Sequence, residues 1–98
     1  MPKIQSESRV VASKSTVSSS LDNEQVVLDA RAGKYFGLNE VAQLVWTRIQ
    51  EPARVGDLFD AVLAEYEIDR AQCEKDVLEL LETLAGKGLI EVHDGGLS

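Results

Sequence analysis

Three segments of five or six residues in the first part of the chain have a pattern of apolar and polar positions typical of short strands. The first runs from Thr16 to Leu21, the second over residues 25–29 and the third over Lys34–Leu38. The last two are rich in β-branched or aromatic residues and all three are bounded by turn formers, which favours strands over helices. Gly33 is expected to supply the positive φ of the second turn. The pattern predicts a three-stranded antiparallel meander.

The apolar period changes from two to 3.6 at Asn39, a residue type that caps helix N-termini well. A first amphipathic helix is predicted from there and ends at Pro52. A second amphipathic helix of roughly three turns is predicted over residues 58–66. Arg54 precedes this second helix without offering a capping oxygen, so its N-terminus is expected to be weakly capped.

The third predicted helix is the longest, and its signals are clear at both ends. Asp69 with Gln72 resembles a capping box, and Gly86 to Gly88 supply the residues that end a helix. Residues 89–93 then read as a last strand. The sequence therefore predicts an α+β fold, winged helix-turn-helix-like, with a three-stranded antiparallel sheet followed by three helices and a short C-terminal strand.

The serine-rich start of the chain is expected to be a flexible tail over residues 1–15, with one folded domain over residues 16–93. With 98 residues, 44% of them hydrophobic, the chain has the composition of a small globular domain with a thin core. It carries no apolar N-terminal segment of the signal-peptide kind, and no stretch long enough to span a bilayer. We expect a cytoplasmic protein that does not engage a membrane.

Charge argues against nucleic acid as a partner. The formal net charge is −7, and residues 35–98 carry five basic and thirteen acidic side chains. Proteins that bind DNA or RNA neutralise phosphates with clustered Lys and Arg, so this part of the chain is expected to repel them. An acidic surface of this kind suits a basic or neutral partner.

The inventory of catalytic side chains is thin. Cys73 is the only cysteine and His93 the only histidine, and the long predicted helix separates them. No spacing typical of a metal site or a phosphate-binding loop occurs, so no cofactor and no metal are expected. The acids of the third helix alternate with its apolar stripe as on an ordinary solvated face. Asp69 and Asp76 border that stripe, where a docked partner would meet them.

Tyr35 and Phe36 lie on opposite faces of the third predicted strand. A base-stacking platform is disfavoured because only Lys34 beside them is basic. If this strand lies at a sheet edge beside the third helix, its backbone and the helix face form a groove for an added peptide strand. A register shift of one residue would exchange the two rings, so both are assigned to the site.

These residues resemble the PqqD-like family. The resemblance rests on Val27-Leu28-Asp29, on the run from Gly33 through Glu40, on Val45-Trp46 and on Gly88-Leu89-Ile90, and it covers roughly residues 16–92. It implies a peptide recognition element with a winged-helix-like fold. The resemblance is closer to the stand-alone members of lasso peptide gene clusters than to the pyrroloquinoline quinone member.

The resemblance implies that the chain binds the leader segment of a ribosomally made precursor peptide. The leader would add as a strand to Lys34–Leu38, in the cleft with the third helix, and be delivered to a separate leader peptidase, a transglutaminase-like cysteine protease. The chain itself would not be an enzyme. The implied peptide-binding residues are Lys34, Tyr35, Phe36, Gly37, Leu38, Asp69, Cys73, Asp76, Val77, Leu80 and Leu84.

Three other functions remain open at this point. Within the family, the chain could be a precursor chaperone for a radical SAM enzyme in pyrroloquinoline quinone biosynthesis. A winged-helix DNA-binding regulator shares the architecture but needs a basic recognition helix, and the third helix is acidic. A homodimerisation module would pair the same exposed edge strand with a second copy.

Overall fold

Six strands and three helices form the part of the chain that the computed structural model describes, which is residues 4–21, 24–31 and 33–93. The strands are β1 (Arg9–Ala12), β2 (Thr16–Leu21), β3 (Glu24–Asp29), β4 (Lys34–Leu38), β5 (Ala53–Arg54) and β6 (Ile90–His93). The helices are α1 (Glu40–Arg48), α2 (Val55–Glu65) and α3 (Arg70–Gly86). The predicted α+β class, with a meander, three helices and a last strand, is confirmed.

The predicted meander is an antiparallel sheet with strand order β2-β3-β4, which we call the β3 sheet after its central strand. Its register pairs Val17 with Leu28, and Leu28 with Tyr35. Gly33 adopts a φ of 69° in the turn between β3 and β4, as expected. The turn predicted at Asp22 and Asn23 lies outside the described residues.

A second antiparallel sheet, the β1 sheet, has the order β5-β1-β6 and was not predicted. Its central strand comes from the segment that we expected to be a tail. Val10 of that strand is fully buried, and Ile4 is 8% exposed in the same core. The expectation of a flexible tail over residues 1–15 is therefore wrong for these positions, because the segment completes a sheet and buries apolar side chains.

The N-terminal segment also caps α2. Arg54 occupies the N-cap position and makes no capping hydrogen bond with its side chain, as its residue type predicts. The backbone N–H groups of Val55 and Gly56 instead donate to the carbonyl oxygens of Ser8 and Ser6, at 2.9 and 2.8 Å. Carbonyl groups from another part of the chain thus accept the hydrogen bonds of helix amides that a local capping side chain would ordinarily accept.

The core lies between the three helices and the inner faces of both sheets. Helix α1 packs against β4, α2 and α3, and so connects the β3 sheet to the rest of the molecule. The buried helical side chains are Ala42, Val45 and Trp46 from α1, Val55, Leu58, Phe59 and Val62 from α2, and Cys73, Val77, Leu81 and Leu84 from α3.

The helix ends follow the sequence signals with one exception. Asn39 caps α1, its side-chain oxygen accepting from the N–H of Ala42 at 2.8 Å, and Gly88 takes a φ of 74° after α3. Asp69 stands at the N-cap of α3 but makes no capping bond with its side chain. Gln72 donates to Asp76 at 2.8 Å, so the predicted capping box does not form.

Candidate functional site

Strand β4 is an edge strand with an unpaired side among the described residues. The backbone N–H of Ala30 donates to the backbone oxygen of Ser15. This bond shows which residues of β3 direct their backbone groups toward β2 and which direct them toward β4. In an antiparallel ladder the direction of the backbone groups alternates with each residue. The backbone N–H and C=O of Tyr35 and Gly37 therefore point away from β3, toward the open edge.

The two rings of β4 lie on opposite faces of the sheet. Phe36 is half-buried and packs against the core, whereas Tyr35 is 71% exposed on the outer face. The register question that the sequence left open is thus answered, because Phe36 is the ring on the side of the helices. The Lys87 Nζ lies 6.0 Å from the Phe36 ring centroid, within the range of a cation–π contact.

Helix α3 carries a row of side chains along one border of its buried stripe, and Lys87 of this row lies beside the Phe36 ring of β4. Asp76, Leu80, Thr83 and Lys87 follow at intervals of four, three and four residues, which places them on one side of the helix. Leu80 is half-buried and Asp76 is exposed. We call the space between this row and β4 the β4–α3 groove.

The start of α1 closes one end of the β4–α3 groove. An open depression of about 410 Å³ lies there, and the residues that line it are Asn39, Val41, Ala42, Asp76, Glu79, Leu80 and Thr83. Gln43 Nε2 donates to the oxygen of Leu38 at 3.1 Å and ties α1 to the end of β4. The depression is therefore held by the junction between strand and helix.

The structure places the predicted site residues in three different locations. The side chains of Asp76 and Leu80 lie together at the depression, and Phe36 of β4 lies beside Lys87. The side chain of Lys34 lies outside the described residues, and Leu38 is 5% exposed and belongs to the core. Cys73, Val77 and Leu84 are at most 1% exposed and belong to the core. Asp69 is exposed at the start of α3, beside a different depression with Glu67, Ile68 and Gln72.

Two groove residues on α3 were missed by the sequence reasoning. Thr83 and Lys87 lie three and seven residues after Leu80, and the helical period from Asp76 and Leu80 would have found both. The apolar stripe was chosen for the site instead. An apolar stripe marks the face that a helix buries, so the border of the stripe is the better guide to a groove.

The electrostatics of the groove are uneven along α3. Asp76 and Glu79 place carboxylates at the end near α1, and Lys87 places an ammonium group at the other end. Burial raises the pKa of the Cys73 thiol, partly offset by the positive charge of Arg70. The thiol donates to the oxygen of Phe59 at 3.6 Å inside the core, where it is held protonated and out of contact with a groove ligand.

The described residues bring no catalytic or metal-binding constellation to the groove. Among them, no group of three or more His, Cys, Asp or Glu side chains could hold a metal ion. His93 is exposed on β6, and the buried Cys73 lies on α3. Within the same described ranges, no helix has the length and apolar character needed to cross a membrane. The arrangement offers backbone hydrogen bonds and side-chain pockets.

Comparison with known proteins adds a family and two solved structures. A family model for coenzyme PQQ synthesis protein D (PqqD) matches residues 24–90. The structure of TbiB1 in complex with the TbiA(beta) leader peptide is 36% identical, with a TM-score of 0.74, over 90% of this chain and 98% of that chain.

A second structure, lasso peptide synthetase B1 complexed with the leader peptide, is 27% identical with a TM-score of 0.74. That similarity covers 84% of this chain and 96% of the other. No curated protein sequence matches the chain.

Proposed function

The chain belongs to the family of coenzyme PQQ synthesis protein D, and from that premise we propose that it binds the leader segment of a lasso precursor peptide without catalysing a reaction. The observation that carries the proposal is the similarity to two structures that each hold a leader peptide. The second of them is a lasso peptide synthetase B1, which favours a lasso peptide system over a chaperone of quinone biosynthesis. The free edge of β4 gives the proposal a physical basis in this chain.

The leader adds to β4 as a further strand of the β3 sheet. Tyr35 and Gly37 offer backbone N–H and C=O groups to it, two residues apart, which is the spacing that an extended peptide repeats. These bonds orient the peptide without depending on its side chains. Specificity then comes from the side chains that point alternately toward α3 and away from it.

The depression at the start of α1 receives an apolar leader side chain. Leu80, Val41 and Ala42 supply its apolar contacts, while Asp76 and Glu79 leave carboxylates at its border. A leader with a basic residue next to its apolar anchor fits this combination, because the basic side chain then pairs with these carboxylates in the complex. Phe36 contributes the floor of the groove from the strand side.

The bound leader is delivered to a separate leader peptidase. The contribution of this chain is to hold the precursor near that enzyme. Holding two partners together raises the effective concentration of one near the other, to the millimolar range for short flexible connections. The core segment of the precursor stays free because only the leader is paired with β4.

The first test measures binding of a labelled synthetic leader from the precursor gene adjacent to this chain's gene, by fluorescence anisotropy. Leu80→Asp is expected to lower affinity at least about 30-fold, because it puts a charge into the apolar contacts of the depression that receives the leader side chain. Leu78→Asp is the matched control, since Leu78 is also half-buried on α3 but lies on the opposite border of the buried stripe. Equal losses in both variants would remove the groove from the proposal.

A second test addresses strand addition. Gly37→Pro removes an N–H that points to the open edge, and proline is tolerated at such positions of edge strands. We expect a loss of leader affinity of about tenfold, from one lost hydrogen bond and the bulk of the ring. Gly37→Ala keeps the N–H, and its added Cβ meets nothing within 4 Å, so it is expected to bind as the wild type. Wild-type affinity in Gly37→Pro would contradict strand addition.

A further inference from the structure

An arginine cluster lines a second depression, outside the β4–α3 groove. The depression is open, measures about 430 Å³ and lies where β5 and the start of α2 meet β1 and the end of α1. The residues that line it are Arg9, Arg48, Pro52, Ala53, Arg54, Asp57 and Leu58. The chain has five arginines in all, and three of them meet here although its net charge is −7.

The β1 sheet sets two of these arginines side by side. Arg9 of β1 pairs directly with Arg54 of β5 on one side and with His93 of β6 on the other. The next residue, Val10, is buried, so this row lies on the outer face of the sheet. Like charges placed directly opposite each other destabilise a sheet, so the row is maintained at an energetic cost to the fold.

Only part of this charge is neutralised within the chain. Arg54 Nη2 lies 3.1 Å from Asp57 Oδ1, in an exposed ion pair. Arg9 and Arg48 have no carboxylate within salt-bridge distance in the part of the chain that the structure describes. Both are exposed, so their guanidinium groups are available to an external acid.

We propose that this depression docks an acidic segment of a partner protein through the carboxylates of that segment. The guanidinium fork matches a carboxylate with two parallel hydrogen bonds, and two unneutralised arginines beside the apolar Pro52 and Ala53 select for such a segment. The site goes beyond leader binding, because none of the residues that line it lines the groove.

The positions of the two sites allow both to be occupied at once. Asn39, at the start of α1, lines the depression in the groove, and Arg48, at its end, lines the arginine cluster. At 1.5 Å per residue, the helix separates them by roughly 13 Å along its axis. A partner held at the arginine cluster is therefore close to a leader in the groove without overlapping it.

The surroundings favour a protein segment over a nucleic acid. Nucleic acids bind without sequence preference through many phosphate contacts, each neutralised by a basic side chain. The cluster supplies three arginines, and Asp57 and Glu91 stand beside this row. A duplex that passes over the cluster would meet these carboxylates, whereas a short acidic segment needs only the cluster itself.

The experiment measures anisotropy of a labelled deca-glutamate peptide, titrated with the full chain at low ionic strength. The double variant Arg9→Glu with Arg48→Glu is expected to lower the affinity for this peptide by at least about tenfold. Arg31→Glu with Arg70→Glu changes the net charge equally at positions outside the cluster and is expected to bind as the wild type. Saturable binding with this difference supports the proposal.

Several outcomes would overturn it. No saturable binding, or equal losses in the two double variants, would show that the cluster does not select carboxylates. Tighter binding of a short DNA duplex, lost in the same cluster variant, would assign the site to nucleic acid instead. Arg9→Gln with Arg48→Gln removes charge without adding any and serves if the Glu variant does not fold. Unchanged leader binding in these variants keeps this result separate from the groove.

Discussion

The two sheets of this protein differ in how their strands are brought together. The β3 sheet is a meander of three consecutive strands, whereas the β1 sheet joins segments from the beginning, the middle and the end of the described chain. The β3 sheet has β2 and β4 as its edge strands and exposes Val17, Leu28 and Tyr35 on its outer face. The β1 sheet has its central strand paired on both sides. Long-range pairing thus builds the β1 sheet, and the local meander carries the edge strand to which we propose that the leader binds.

The largest expected effect tests the contribution of β1 to the fold. Val10→Asp buries a carboxylate at a fully buried position without a partner, which we expect to cost more than about 4 kcal/mol. That is most of the stability of a domain of this size, so cooperative thermal unfolding followed by circular dichroism should be lost. Val11→Asp is the matched control, because Val11 lies on the other face of the strand and is half-buried. Cooperative unfolding of Val10→Asp would contradict this view of β1.

The same difference explains which parts of the fold the sequence could predict. The strands of the β3 sheet pair with their neighbours in sequence, so their β-branched and aromatic residues and the turn residues between them were enough to find them. Arg9–Ala12 pairs with Ala53–Arg54 and Ile90–His93, and no local pattern encodes such partners. Serines near Val10 and Val11 gave the segment the composition of a tail, and tertiary burial overrode that signal.

The candidate site was predictable to a similar extent. The motif at β4 located the edge strand, and the family resemblance assigned Asp76 and Leu80, which line the depression at the start of α1. Cys73, Val77 and Leu84 were assigned to the groove because they share an apolar stripe with Leu80. Which apolar residues a helix buries and which it leaves at a groove depends on the packing of α1 and α2, and the sequence of α3 does not contain that information.

The second expected effect compares the two faces of β4. Phe36→Ala should lower leader affinity about tenfold, because it removes the ring that floors the groove beside Lys87. Tyr35→Ala should lower it no more than about threefold, since the exposed ring reaches only the outer-face side chains of an added strand. Anisotropy with the leader peptide measures both. A larger loss in Tyr35→Ala would place the specificity contacts on the outer face.

The third expected effect concerns stability within the β3 sheet. Val27 is fully buried, and its neighbour Leu28 is 41% exposed in the apolar row with Val17 and Tyr35. Val27→Ser should lower the free energy of unfolding by about 2 kcal/mol, through lost burial and an unpaired hydroxyl. Leu28→Ser should lower it by less than about 1 kcal/mol, which is the range of a cross-strand pair. Urea denaturation of both variants measures the difference, and similar losses would show that the outer face is also covered.

The smallest expected effect is the pH dependence that Cys73 contributes from the core. Burial raises the pKa of its thiol above the value of about 8.5 that it has in the unfolded chain. The folded protein therefore holds the proton more tightly, so the stabilisation is complete below the unfolded pKa and is lost as pH rises toward the folded pKa. The variant Cys73→Ala keeps every other titrating group. The free energy of unfolding of the wild type, measured relative to this variant, should therefore decrease as pH rises from neutral to alkaline values. Parallel pH profiles of wild type and Cys73→Ala in urea denaturation would mean that the thiol reaches solvent. The buried stripe of α3 would then be more open at Cys73 than its complete burial in the structure indicates.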